Sequence, residues 1–270
     1  MNTRALPLLC LALLGTLAEA HNVSAAERHF AFSHESTVLG AGQAELQSWT
    51  STRVGRANYY SRLDARLGFQ FGLSNRLQAG LLWDLSSTTA DIRIPGAALN
   101  SRLSSTELQS LSAQLKYELT SPIADALGSA LFLEGSAGPL AVGYEGRVIL
   151  DKQLGAFLLT VNLIGAGQEF LELQARFIGS FGATLAANYF VTPDLGLAFE
   201  LHEESTIASG SLDQAVLYLG PGISFVSTNY WLTFAATPQV VTFKGATPGN
   251  RLDVSQNEYL RARLLLGFPL

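Results

Sequence analysis

The chain of 270 residues holds one cysteine, Cys10. It lies in the N-terminal leader, so neither a disulfide framework nor thiol chemistry is available to the rest. Lysine is nearly missing too: Lys116, Lys152 and Lys244 stand against fourteen arginines. Soluble surfaces are ordinarily solvated with Lys and Glu, whereas arginine suits fixed, bidentate pairing with carboxylates in a confined interior. Charged residues are sparse, at 14%, and a formal balance of −5 gives a nucleic-acid partner no electrostatic support. Beyond the leader, no segment approaches the ~20 consecutive apolar residues that a spanning helix needs. Hydrophobic residues nonetheless make up 48% of the chain. High apolarity without a helical span is what lipid-facing β-structure would show.

The catalytic motifs are missing as well. There is no Gly-x-Ser-x-Gly, His-Glu-x-x-His, P-loop or dinucleotide fingerprint. His21, His29 and His34 lie in the leader or just after it, without a ligand spacing that would hold a metal. The expectation is therefore a chain with no cofactor and no catalytic constellation.

What is present begins with an export signal. Arg4 supplies a positive start, Ala5–Leu17 an apolar stretch, and small residues offer cleavage after Ala20 or near Ala26. Residues 1–26 are thus expected to be a signal peptide. Residues 27–42 are polar and turn-rich, either a periplasmic tail or a segment tucked into whatever follows. Residues 43–270 form the main domain.

That domain is organised around Leu171–Val191. Every second residue from Leu171 is apolar or small, through Phe177, Phe181, Leu185 and Tyr189, and no charge interrupts the face. A period of two is a β-strand signal. Strands in soluble domains usually run about five or six residues, and a strand tilted across a bilayer needs roughly 9–11. The same alternation recurs at Tyr59–Leu73, where Leu63, Leu67 and Phe69 oppose Arg62, Asp64 and Arg66. Twelve such segments can be counted. Tight turns at 74–75, 153–155, 192–194 and 227–229 alternate with longer loops at 87–105, 204–213 and 241–257. An even strand number with short turns at one end and long loops at the other is the pattern of bacterial outer-membrane barrels. The predicted fold is an all-β, antiparallel, up-and-down transmembrane barrel of about twelve strands. Outward aromatics such as Tyr59, Trp83, Tyr117, Tyr144 and Tyr189 fall near strand ends, where interfacial girdles belong. A soluble periplasmic β-protein would share the alternation but not the strand length or the lysine scarcity.

The last segment alternates Leu260, Ala262, Leu264, Leu266, Phe268 and Leu270 with Arg261 and Arg263. Its end resembles the C-terminal signal read by the barrel-assembly machinery, although Pro269 and a final Leu depart from the usual form. Taken with Gly128–Gly135 and Leu219-Gly220-Pro221-Gly222, the mature chain resembles an uncharacterised group of Gram-negative outer-membrane barrels. That group looks related to the meta-pathway phenol-degradation barrel proteins. The resemblance implies a membrane barrel in outer-membrane lipid, with solute passage as its activity, and it carries no catalytic residues.

The polar face collects charges of both signs. Its candidates are Arg62, Asp64, Arg66, Asp84, Lys116, Glu118, Glu134 and Glu145, then Arg147, Asp151, Glu172, Arg176, Glu200, His202, Arg261 and Arg263. They could line a pore that selects solutes by charge, or they could pair off and plug a narrow barrel. The leading expectation is a porin-like channel for small solutes. An outer-membrane lipase or protease is the alternative, resting on Glu200, His202 and Ser205; strand parity there puts Ser205 on the face opposite His202.

Overall fold

The computed structural model describes residues 27–92, 101–171, 176–247 and 249–270. The expected signal segment and Glu172 lie outside them, as does the side chain of Arg176. Twelve strands follow one another in chain order: β1 (Ala44–Val54), β2 (Tyr60–Ser74), β3 (Leu77–Ile92), β4 (Ser101–Thr120), β5 (Gly128–Ala137) and β6 (Ala141–Leu154). The second half comprises β7 (Phe157–Phe170), β8 (Arg176–Phe190), β9 (Leu195–Ala208), β10 (Ser211–Val226), β11 (Trp231–Lys244) and β12 (Leu260–Pro269). Each pairs antiparallel with its sequence neighbours, and β1 pairs with β12 from Glu45↔Pro269 to Val54↔Leu260. Leu270 N–H donates to Ala44 at 3.0 Å and finishes the seam. The barrel is closed, up-and-down and transmembrane. Closure is obligatory in hydrocarbon, where each unpaired backbone group costs several kcal/mol.

Alternation decides which residues face lipid. On β7, Leu159, Val161 and Leu163 are exposed while Leu158, Thr160 and Asn162 are buried. On β8, Phe177, Phe181, Leu185 and Tyr189 point outward, and Thr184, Ala186 and Asn188 point inward. Aromatic pairs gather at both rims, Phe157–Tyr189 at one end and Tyr144–Phe177 at the other, with centroids 5.0 and 6.4 Å apart. Trp83 is an exception to the expected girdle. It lies midway along β3, because that strand runs on to Ile92.

Three boundaries differ from the sequence reading. The stretch 171–191 is not one strand: β7 extends through Gly165 to Phe170, Leu171 is a turn residue, and β8 starts at Arg176. Leu171 and Leu173 happen to keep the phase of the strand after them, so period alone ran through the connection. The loop expected at 87–105 is mostly ladder, Ser87–Ile92 pairing with Ser101–Thr106. Hydroxyl pairs Thr89–Ser104 (3.1 Å) and Ser87–Thr106 (3.0 Å) and the Arg102–Asp91 ion pair (2.8 Å) carry this hairpin beyond the apolar zone. The 204–213 loop is likewise a hairpin. β9 and β10 meet at Ser209-Gly210, both at positive φ (51° and 77°), as a two-residue primed turn requires. The prolines expected to weaken β10 and β11 do so locally. No ladder pairs join Leu219–Pro221 to Ala236–Thr237, where two donors are missing. There a Cβ at Gly220 would come within 1.9 Å of the Ala236 carbonyl oxygen.

The start of β1, the end of β12 and the connections at 75–76, 121–127, 155–156, 191–194 and 227–230 share one end of the barrel. The opposite end carries the tall hairpins and the irregular 245–259 connection. That connection folds back over the mouth, burying Asp253 and Glu258.

Two outcomes test these faces. Leu163→Arg, on the lipid side of the middle of β7, should cost roughly 2–4 kcal/mol of stability. Ala166→Arg, three residues on and facing a lumenal cavity beside Glu145, should be much milder; urea titration in detergent compares them. Gly267→Ala should destabilise by about 1–3 kcal/mol, because its Cβ would sit 2.1 Å from the Trp231 ring. Unchanged unfolding midpoints would refute that packing.

Candidate functional site: a lumen stopped by the N-terminal segment

The barrel turns half its side chains into a narrow column, and residues 27–42 share that column. The segment enters at the tight-turn end, where Gly42 N–H donates to Gly72 at 3.0 Å. It then crosses the lumen by hydrogen-bonding one strand after another. Leu39 N–H reaches Gln78 Oε1 on β3 (2.9 Å), and Ser36 N–H and Oγ reach Asp151 on β6 (2.6 and 2.7 Å). His34 N–H meets Asn162 Oδ1 on β7 (2.8 Å), while its carbonyl accepts from Thr160 and Asn162 at 2.9 Å each. Ala31, Phe32 and Ser33 then aim three consecutive N–H groups at the Glu200 carboxylate on β9, at 2.7, 2.8 and 3.0 Å. Thr233 on β11 closes the path by donating to the Arg28 carbonyl.

These contacts solve a problem for both parties. An irregular segment cannot pair its backbone with itself, and buried N–H groups without acceptors are costly. Acids projecting from the wall are likewise costly unless neutralised. Glu200 is fully buried, and the segment's amides satisfy it without a cation. Apolar side chains fill what remains. Phe30 packs on Leu158, Ala186 and Ala198, and Phe32 on Trp49, Trp231 and Leu265. Burial, aided by the charges of Arg28, Arg147 and Lys116, pushes the His34 imidazole well below its ordinary range. Its ring sits against Phe132 and Trp49 as a neutral packing group. Burial works against ionisation of Glu35, but its hydrogen bond with His29 and the charges of His29 and Arg28 hold it below the usual range.

The sequence candidates divide between two levels. Lys116, Asp151 and Glu200 hold the segment, Lys116 Nζ lying 3.4 Å from the Glu35 carbonyl oxygen. Glu118 faces inward nearer the tight-turn end. Above the segment, Arg66 forks onto Glu134 (3.0 and 3.0 Å) and also pairs with Asp84, which accepts from Ser110 and Ser112. Arg62 and Arg53 share Asp64 at 2.7 and 3.1 Å, and Arg147 pairs with Glu145 at 2.6 Å. Arg261 joins Glu204 to Glu258. Arg263 donates to Ser51 and to the Ala31 carbonyl. His202 is sandwiched between Phe32 and Tyr218 at 4.5 and 4.8 Å.

Glu200, His202 and Ser205 do not assemble as a triad. Glu200 is taken by the segment, and Ser205 donates to Glu203 on the opposite face of β9 from His202. Strand parity puts Glu45, Gln47, Gln70 and Gln78 on the polar face, yet they and Asn162 stand outside the charged candidates, and the lumen buries all five as thoroughly as the charges. Their value as acceptors for an inserted backbone had no signal in the sequence.

Cavities lie on both sides of the segment. Three adjoining ones, of about 290, 250 and 360 Å³, occupy the half toward the tall hairpins. A fourth, of about 740 Å³, opens at the tight-turn end between the segment and β6–β8. It shares no lining residue with the other three.

Residues 22–142 match a family model described as a family of unknown function (DUF6662), ending at the second residue of β6. No curated protein sequence matches the chain. Among solved structures, the COG4313 outer membrane channel from Pseudomonas putida F1 is similar at 14% identity and a TM-score of 0.63, over 89% of this chain and 100% of that one. The NanC porin gives 10% identity and a TM-score of 0.54, over 83% and 100%. The β domain of the Bordetella autotransporter BrkA gives 11% and 0.51, over 85% and 100%. The shared feature is the fold, that of outer-membrane barrels.

The grip on the segment has a direct readout. Glu200→Gln replaces an acceptor for three N–H groups with an amide that satisfies them poorly. Amide exchange at Ala31–Ser33 in the detergent-folded protein should then accelerate by roughly tenfold or more, since hydrogen bonds to charged groups are worth about 1.5–3 kcal/mol each. Unchanged protection would mean that packing of Phe30 and Phe32 alone holds the segment.

Proposed function

We propose that this chain is an outer-membrane channel for passive passage of small solutes, stopped at mid-height by its own residues 27–42. The observation that carries the reading is that water-accessible cavities lie on either side of one short segment. The segment is held by side-chain hydrogen bonds and packing, and enters no ladder of the wall. Displacing it would join the two halves without disturbing the barrel. The likeness to a channel and a porin agrees with this and contributes the fold alone. In this reading the tight-turn end faces the periplasm and the tall hairpins face outward, following the loop asymmetry of bacterial barrels. The leader directs export, and β12 serves as the handle for the assembly machinery. The resemblance to the meta-pathway barrels adds aromatic compounds to the solutes worth trying.

A second reading is a plugged barrel without transport, favoured by the nine strands to which hydrogen bonds tie the segment. Planar-bilayer conductance separates the two. The mature chain should show small, infrequent current steps, and a chain also lacking residues 27–42 should show larger and longer ones. Liposome swelling by small sugars should follow the same order. Silence from both proteins, each shown to be folded by heat-modifiable gel mobility, would leave the plugged barrel. Lipid or peptide hydrolysis lost on His202→Ala would point to the enzyme instead.

A further inference from the structure

Above the segment, the carboxylates are shared unevenly among the guanidinium groups. Arg53 and Arg62 share one acid, and Arg66, Arg147 and Arg261 are paired. Arg263 has no carboxylate within 4.0 Å among the described residues. Its Nε donates to Ser51 Oγ at 2.8 Å, and its Nη1 lies 3.3 Å from the Ala31 carbonyl oxygen. The charges acting most strongly on it are those of other arginines, Arg53, Arg28, Arg147 and Arg66. A half-buried cation with no carboxylate of its own, beside other cations, is the arrangement that a counter-anion would relieve.

Unused donors converge on the same place. Nη1 of Arg147 is buried without a partner, because only its Nε engages Glu145. His202 is 6% exposed, and neither ring nitrogen has a hydrogen-bond partner. Two cavities, of about 290 and 250 Å³, meet here, and Arg53, Arg147 and Arg263 line both. His202 and Phe32 line one lobe, and Trp49 and Phe132 the other. Buried polar groups in native proteins nearly always find partners. Three guanidinium groups therefore converge between aromatic walls, with Glu145, paired to Arg147, as the one carboxylate that lines both lobes, and they give the junction a definite chemistry.

We propose that the junction of these two cavities binds a small organic carboxylate, its oxygens taken by Arg263 and Arg147 and its carbon body lying against Phe32. The planar fork of a guanidinium matches the two oxygens of a carboxylate, and such charge-assisted pairs are the strong ones. The size of each lobe falls at or below the roughly 300 Å³ lower bound of common ligand pockets, which restricts the guest to a small one. The aromatic walls favour an organic body over a bare inorganic anion. The proposal rests on the channel reading and names its solute class.

Equilibrium binding tests it apart from conductance. The full mature chain, refolded in detergent, is titrated with benzoate at fixed ionic strength while tryptophan fluorescence is followed, Trp49 lying in the wall. Benzamide, which has the same body and no charge, and inorganic phosphate are the comparison probes. Benzoate should saturate, and both other probes should bind at least about tenfold more weakly. Arg263→Gln should weaken benzoate by roughly tenfold or more, Arg263→Lys by less, and Arg102→Gln, in the exposed hairpin, not at all. Equal binding of benzamide, or of phosphate, would overturn the carboxylate assignment. Benzoate binding unchanged in both Arg263 variants would overturn the site, and Arg263→Lys keeps the test available should Arg263→Gln fail to fold. Saturable benzoate binding by a protein that never conducts would support the site and count against the channel alone.

Discussion

A polar group placed inside a twelve-strand barrel has little water to turn to, and the architecture of this lumen follows from that shortage. The wall must project every second residue inward, and those residues must be polar for the outward face to remain apolar. The lumen is narrow enough that inward side chains from different strands touch across it, as Arg66 does in reaching from β2 to Glu134 on β5. Each buried carboxylate therefore needs donors close by. Two supplies meet the need, arginine above and the backbone of residues 31–36 below. Glu200 and Asp151 take amide N–H groups from the inserted segment, and Asp64, Asp84, Glu134 and Glu145 take guanidinium groups.

The choice between those supplies explains the composition. A lysine ammonium is a strongly hydrated point charge on a flexible stem, poorly suited to a crowded interior. An arginine bonds two acids at once from one position and lies flat against an aromatic ring. Arg263 does the latter over Phe32, at 4.5 Å, and Arg261 over Tyr218, at 4.1 Å. Among the lysines, Lys116 is the one that points into the lumen's depth, and a backbone carbonyl answers it there.

Much of the fold was legible because period two is a direct consequence of strand geometry. Twelve strands, their antiparallel order and the inward placement of Arg62, Asp64, Arg66 and Arg147 all follow from alternation. What could not be read was where alternation stops. Ser, Thr and Gly satisfy a strand as well as a loop, so the hairpin at Ser87–Thr106 looked like a connection, and Leu171 kept phase across a turn. The pairing of charges between strands was also illegible, since it depends on register and shear and not on spacing along the chain. Residues 27–42 were the hardest case. Their insertion depends on acceptors at Gln78, Asp151, Asn162 and Glu200, on four different strands remote in sequence from the segment or separated from it by other strands, and no local pattern in the segment records them.

The two supplies of donors also differ in how they can be exchanged. Guanidinium groups belong to strands and stay with the wall, so the pairs of Arg62, Arg66 and Arg147 with their acids need nothing from the segment, whereas Arg263 would lose its bond to the Ala31 carbonyl. The amides of residues 31–36 belong to a piece of chain that enters no ladder, and their withdrawal would leave Glu200 and Asp151 facing the lumen as free anions. Water arriving with the opened path would solvate those carboxylates, so the cost of losing the amides falls as the lumen wets. Opening and hydration therefore favour one another, whereas a partial withdrawal that admits no water leaves buried acids unpaired. In the channel reading proposed above, that coupling would make an intermediate position of the segment costly and give the barrel two states, stopped and clear.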